Sequence, residues 1–150
     1  MEGIRRSDIS EEYAYSGIVE AGDFVFLSFC VGNVGSTPWT ACDKERAEYA
    51  RSAYSSHDAS EARDATSEQV EGALNDMERR LTLVGLTLQH VVKMDVLLRD
   101  PWDIPQMEEV FKRRFAGAYP ARKTIATEFA HAGGRDGLKA QIDAIAYRGK

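Results

Sequence analysis

The sequence predicts an α+β fold, a single mixed sheet of five or six strands with two helices packed on one face. Three observations lead there. Residues 66–84 carry apolar side chains at helical spacing, and residues 103–115 repeat the pattern. Residues 13–20 and 24–30 are short strand-like runs joined by Ala21-Gly22-Asp23, the mark of an antiparallel hairpin. Three more strand-like runs follow, at 90–98, 119–130 and 138–147. The order is strand, strand, helix, strand, helix, strand, strand. Two helices can cover only one face of such a sheet.

Taken in order, residues 1–11 are polar and read as loose chain or an edge. The second hairpin strand, 24–30, is apolar on both sides apart from Ser28, a pattern of strands buried on both faces. Residues 31–65 form a long connection, a loop-and-short-helix insertion with a candidate helix from 43 to 54. Connections of that length usually carry function. In the first long helix Val70, Ala73, Leu74, Met77, Leu81 and Val84 draw one stripe; Thr66 with Gln69 resembles a capping box, and Gly85 suits the C-terminal cap. The 90–98 strand places Val92, Met94, Val96 and Leu98 on one side and ends at Asp100-Pro101. The next helix turns Ile104, Met107, Val110, Phe111 and Phe115 inward. Residues 131–137 are a glycine-rich turn. The last strand alternates Gln141, Asp143 and Ile145 against Ile142, Ala144 and Ala146.

At 150 residues the chain is expected to be one domain, 1–150, able to bury a core without staples. Hydrophobic residues make up 43% and charged residues 29%, an ordinary globular balance. The net charge of -5 comes without a basic block, which argues against a nucleic-acid partner. Cys30 and Cys42 make no paired spacing and fit a reducing cytoplasm. No signal peptide and no apolar run of membrane-spanning length is visible, so a cytoplasmic protein without a membrane partner is expected. His57, His90 and His131 are too scattered for a local zinc motif, and neither Gly32 to Gly35 nor Gly133-Gly134 matches a phosphate loop. No cofactor and no metal are expected.

The informative stretch is 119–130. Pro120 cannot donate to a ladder and suits a strand's entry. Beyond it Ile125 and Phe129 share one face, and Arg122, Thr124 and Glu128 the other. Arg122 presents a rigid fork of donors that matches a carboxylate. Two readings stand: a ligand's carboxylate, or an ordinary ion pair with an Asp or Glu of the chain. The sheet face left bare by the helices is apolar and calls for other copies of the chain, which would place a site near Arg122 at a subunit boundary.

These segments resemble the reactive-intermediate deaminase family, also called Rid or YjgF-like and known as the endoribonuclease L-PSP family. The likeness rests on residues 21–28, Leu83-Val84-Gly85-Leu86, residues 91–96, Val110-Phe111, Phe115, Tyr119-Pro120-Ala121-Arg122 and residues 141–146, and spans most of 13–147. It implies a chorismate-mutase-like fold and a homotrimer whose sheets form an inner barrel, helices outside, with active sites between subunits. It also implies hydrolysis of enamines and imines of small amino-acid-derived carboxylates to 2-keto acids and ammonia. By the resemblance Arg122 grips the substrate carboxylate. Tyr15 forms the pocket wall, Ser28 stands near the substrate, and Thr124 helps orient water through its carbonyl.

Two departures bear on that expectation. Gln141 stands where the family's deaminases carry a glutamate, and an amide cannot act as a general base. Asp143 and Glu128 are the substitutes on offer, but Asp143 lies about 6.6 Å along the strand from position 141. Phe29 replaces a family glycine and would narrow the pocket, which the long 31–65 connection could roof. The expectation is therefore an imine deaminase-type hydrolase with altered specificity. The alternative is a non-catalytic trimeric module that holds a small carboxylic acid on Arg122. RNA cleavage fits neither the acidic balance nor the lack of a histidine pair.

Overall fold

A computed structural model of the chain describes residues 3–32, 59–127 and 138–149, with only the backbone for 59–65. The candidate helix at 43–54, the glycine-rich turn at 131–137 and Glu128 lie outside the described residues. Six strands form one sheet: β1 (Ile4–Ser10), β2 (Tyr15–Ala21), β3 (Phe24–Val31), β4 (Val91–Leu98), β5 (Ala121–Ala126) and β6 (Ala140–Tyr147). Their order across the sheet is β1-β2-β3-β6-β4-β5. All neighbours are antiparallel except β4 and β5, which run parallel. That parallel pair needs a crossover, and the helix α2 (Ile104–Phe115) supplies it. The helix α1 (Ala59–Leu83) lies over β3 and β6 and packs against α2.

The polar start of the chain is an edge strand. β1 pairs with β2 along its length, and Arg5 reaches the buried Glu20 at 2.7 Å. The hairpin turn falls at Gly22, whose φ of 60° an L side chain adopts with strain. Gly85, at φ 75°, closes α1 as its position predicts. The capping box is not there. α1 begins at Ala59 rather than 66, so Thr66 is buried within the helix. Gln69 Oε1 instead accepts the Lys139 backbone N–H at 2.7 Å. A contact between distant segments has taken the side chain that local spacing assigns to a cap.

One face of the sheet and the inner stripes of the helices make the core. Val70, Leu74, Met77 and Leu81 from α1 and Met107, Val110 and Phe115 from α2 meet Ile18, Val25, Met94, Val96 and Ile142. Gly32, just beyond β3, passes so close to α1 that a Cβ there would overlap the Gln69 carbonyl. The opposite face is open in the single chain. Phe24, Phe26, Ile125 and Tyr147 stand there 39–45% exposed, the Phe24 and Tyr147 rings 5.2 Å apart. The reading of 24–30 as buried on both faces therefore holds for one face of a lone chain.

Candidate functional site

Arg122 enters the structure one residue after the Tyr119-Pro120-Ala121 lead-in, on the edge strand β5. In the ladder it stands beside Met94, which in turn stands beside Ala144. Cross-strand partners project to the same face, and Met94 and Ala144 are both in the core. Arg122 therefore rises on the helix-covered side, where α2 meets it with two residues one turn apart. Its Nη2 donates to Glu108 Oε1 at 2.8 Å, and its Cζ lies 5.7 Å from the Phe111 ring centroid. Cation and ring at that separation attract one another. The Arg122 side chain keeps 29% of its surface exposed and that of Glu108 keeps 40%. Both border a cavity of about 390 Å³ with Met94, Phe111 and Phe115 in its wall and Lys112 and Tyr119 beside them. Thr124 lies two residues along, on the same side of β5, with a buried Oγ1 that has no hydrogen-bond partner among the described residues.

A second cavity, of about 500 Å³, opens on the other side of the sheet and collects Ser28, Phe29, Gln141 and Asp143. Its shape follows from a bulge in β3 between Leu27 and Cys30. The bulge leaves two carbonyls off the ladder, and a buried arginine on α1 takes them. Arg80 Nη1 reaches the oxygens of Ser28 and Phe29 at 3.2 and 3.3 Å. Its charge is balanced by Asp8 at 3.2 Å and Asp76 at 3.0 Å. Phe29, so held, packs its ring 5.3 Å from that of Tyr15. The Ser28 hydroxyl donates to the Ser16 carbonyl at 2.9 Å, so its proton is committed to the backbone. Cys30, one residue past the bulge region, is fully buried, and that burial pushes its thiol up to about 12. Such a thiol does not act as a nucleophile at neutral pH.

The acids of this open face are shaped by their neighbours. Asp143 stands beside Asp95 in the ladder. Loss of hydration, and then the Asp95 charge, hold its carboxyl above the usual range. Asp95 shifts the opposite way, because Lys93 hydrogen-bonds it and Lys123 lies 3.6 Å off.

The two halves of the predicted constellation do not converge within one chain. Asp143, Asp95 and Lys123 form one row across the sheet, and the adjacent row, Ala144, Met94 and Arg122, points the other way. Gln141 shares the side of Asp143, by strand alternation. Arg122 and Thr124 therefore lie on one side of the sheet, while Ser28, Phe29, Gln141 and Asp143 line the cavity on the other. Glu108, Phe111 and Arg80 entered the sites without having been expected there. Phe111 reads as plain core from its spacing. Glu108 lies three residues before it on the same flank of α2, a placement that marks a neighbour of the core stripe but not a partner fourteen residues ahead. Among the described residues no group of three or more His, Cys, Asp or Glu could hold a metal ion. None of the described helices is long and apolar enough to cross a membrane.

The family model described as Endoribonuclease L-PSP matches residues 6–147. A solved structure of a hypothetical protein from Streptococcus pyogenes M1 GAS, a member of the yjgF family, superposes with a TM-score of 0.72 at 47% identity over 98% of each chain. A yjgF-family protein of Neisseria meningitidis shares the fold at 23% identity, with a TM-score of 0.69 over 98% of this chain and 96% of its own. Among curated proteins, Protein DfrA of Myxococcus xanthus is 36% identical over 78 residues, 52% of this chain and 56% of its own length. The 2-iminobutanoate/2-iminopropanoate deaminase of Capra hircus is 33% identical over 82 residues, 55% of this chain. The match spans 57% of that deaminase, so the chain aligns with little more than half of either curated relative.

Proposed function

Because the chain belongs to the Endoribonuclease L-PSP family, we propose that it hydrolyses imines or enamines of small amino-acid-derived carboxylates, releasing ammonia and a 2-keto acid. The observation that carries this reading is the setting of Arg122. A permanently charged fork, partly open to solvent, borders a cavity with an apolar wall, its face on Phe111 and, among the described residues, its Nη2 engaged by Glu108. Such a fork receives a carboxylate through paired charge-assisted hydrogen bonds, and the apolar wall suits a short aliphatic chain. The deaminases of goat and cattle at 33% identity support the reaction class. Positioning the imine carbon for water is then a large share of the rate effect.

The proposal includes assembly. The apolar open face would be covered by further copies of the chain, in a homotrimer as the family resemblance implies. Each copy's β5 edge would then approach the cavity of Ser28, Phe29 and Gln141 on a neighbour. A second reading, a carboxylate-binding module without turnover, is favoured by Gln141, whose amide cannot take a proton from water.

The test generates 2-iminobutanoate or 2-aminoacrylate in situ and follows ammonia release. Turnover by the wild-type protein, cut about 100-fold in kcat/KM by Arg122→Ala through loss of a bidentate charged contact of about 3 kcal/mol, is the expected result. Saturable 2-ketobutyrate binding with no turnover would establish the module instead. Turnover indifferent to Arg122→Ala would remove Arg122 from the site.

A further inference from the structure

Water cannot be activated by a guanidinium, and the acids of the open face project away from Arg122. One carboxylate does reach it. Glu108 Oε1 lies 2.8 Å from Arg122 Nη2, and among the described residues Glu108 is the acid that lines that cavity. We propose that Glu108 is the acid–base residue of the Arg122 site, an assignment that rests on the hydrolase reading above.

Glu108 enters on α2 one turn before Phe111 and Lys112, so helical geometry sets its carboxylate beside the Phe111 ring and the guanidinium lying over it. Its pair with Arg122 is half-exposed and holds only Nη2. Pairs so exposed are weak, so an arriving carboxylate can take the remaining donors without the cost of breaking a buried bridge. A ligand gripped in this way has its imine carbon one bond from the carboxylate carbon.

The protons then balance with water as the only co-reactant. With the substrate entering as its protonated iminium, C=NH2+, Glu108 takes a proton from water as the water oxygen bonds to that carbon, and the C=N π pair moves to nitrogen. The same carboxyl gives that proton to nitrogen of the carbinolamine. The C–N bond breaks with its electron pair leaving on ammonia, and the hydroxyl oxygen becomes the keto group as its proton passes to solvent. Glu108 ends as it began. One flexible carboxylate, held by a cation rather than by the backbone, suits both halves of the reaction.

Glu108→Gln keeps size and hydrogen-bonding reach but cannot accept a proton. We expect its kcat to fall 100-fold or more, while 2-ketobutyrate binds as tightly as to wild type or several-fold tighter, because a negative competitor for Arg122 is gone. Glu108→Asp should restore part of kcat. If Glu108→Gln turns over within about threefold of wild type, the assignment is wrong and the hydrolase reading stands. If kcat and keto-acid affinity fall together, Glu108 merely shapes the site, and the assignment is again wrong. A wild-type protein that releases no ammonia overturns the hydrolase reading and this assignment with it, whereas Arg122→Ala separates the cases by testing the grip alone.

Discussion

Asp143 and Glu20 show how neighbours turn one functional group to opposite ends. Asp143 is drawn out of water beside a second carboxylate, and its folded state favours the proton. Glu20 is buried between Arg148 and Arg5, which hold its charge, and its carboxyl lies below the usual range. The sign of each stability effect follows by linkage. A raised carboxyl costs stability once ionised, so Asp143→Asn should raise Tm at pH 7, and the gain should vanish as pH falls below 3.8. A lowered carboxyl contributes stability above its unfolded value and loses it as pH falls. Glu20→Gln should therefore lower Tm at pH 7, with the deficit closing below 4.5. Thermal melts across pH 3 to 7 check both, and the same sign for the two variants would contradict the placement of either residue. At this scale the alternation of Gln141 and Asp143 against Ile142 and Ala144 is legible in sequence. The meeting of Asp143 with Asp95 is not, because register between distant strands leaves no mark in either strand's own pattern.

At the scale of elements, the join of α1 to the sheet is the tightest constraint. Gly32 lets the end of β3 pass against the α1 backbone, and Gln69 ties α1 to β6 through the Lys139 N–H. A methyl at position 32 has backbone atoms in its way, so α1 must shift as a whole. Gly32→Ala should destabilise the chain by about 1–3 kcal/mol, read as a lower urea midpoint at unchanged slope. A midpoint within error of wild type would mean that α1 sits farther from β3. The stripes of both helices and the hairpin at Gly22 are readable from period and turn chemistry. Arg80 is not. It borders the stripe of Met77 and Leu81, where a charged residue ordinarily snorkels to water. Only the bulge in β3 explains why it is buried instead on the Ser28 and Phe29 carbonyls.

For the molecule as a whole, the assembly proposal rests on the open face. Phe24, Phe26, Ile125 and Tyr147 leave an apolar surface around the Asp95, Lys93 and Lys123 cluster. A second copy could cover the rings and bury the charges already paired. Light scattering on a sizing column should show an assembly, and Phe26→Glu should convert it to monomer with its circular dichroism unchanged. A monomeric wild-type protein would end the assembly proposal. It would also leave Arg122 and Gln141 on separate sides of the sheet with nothing to bring them together.

The α+β class, the helix stripes, most strand faces and the proline-led entry of Arg122 were determined by sequence alone, because each depends on neighbours within a turn or a strand. Val92, read on the face of Met94, is instead exposed where a register shift between Val91 and Lys93 turns the strand. Which acid reaches the guanidinium was decided only by tertiary structure. Strand order puts β5 at an edge, the crossover lays α2 beside it, and Glu108 meets Arg122 as a consequence of packing. Period and propensity report the face a residue takes on its own element, whereas the partner on another element is set by how the elements close over a shared core.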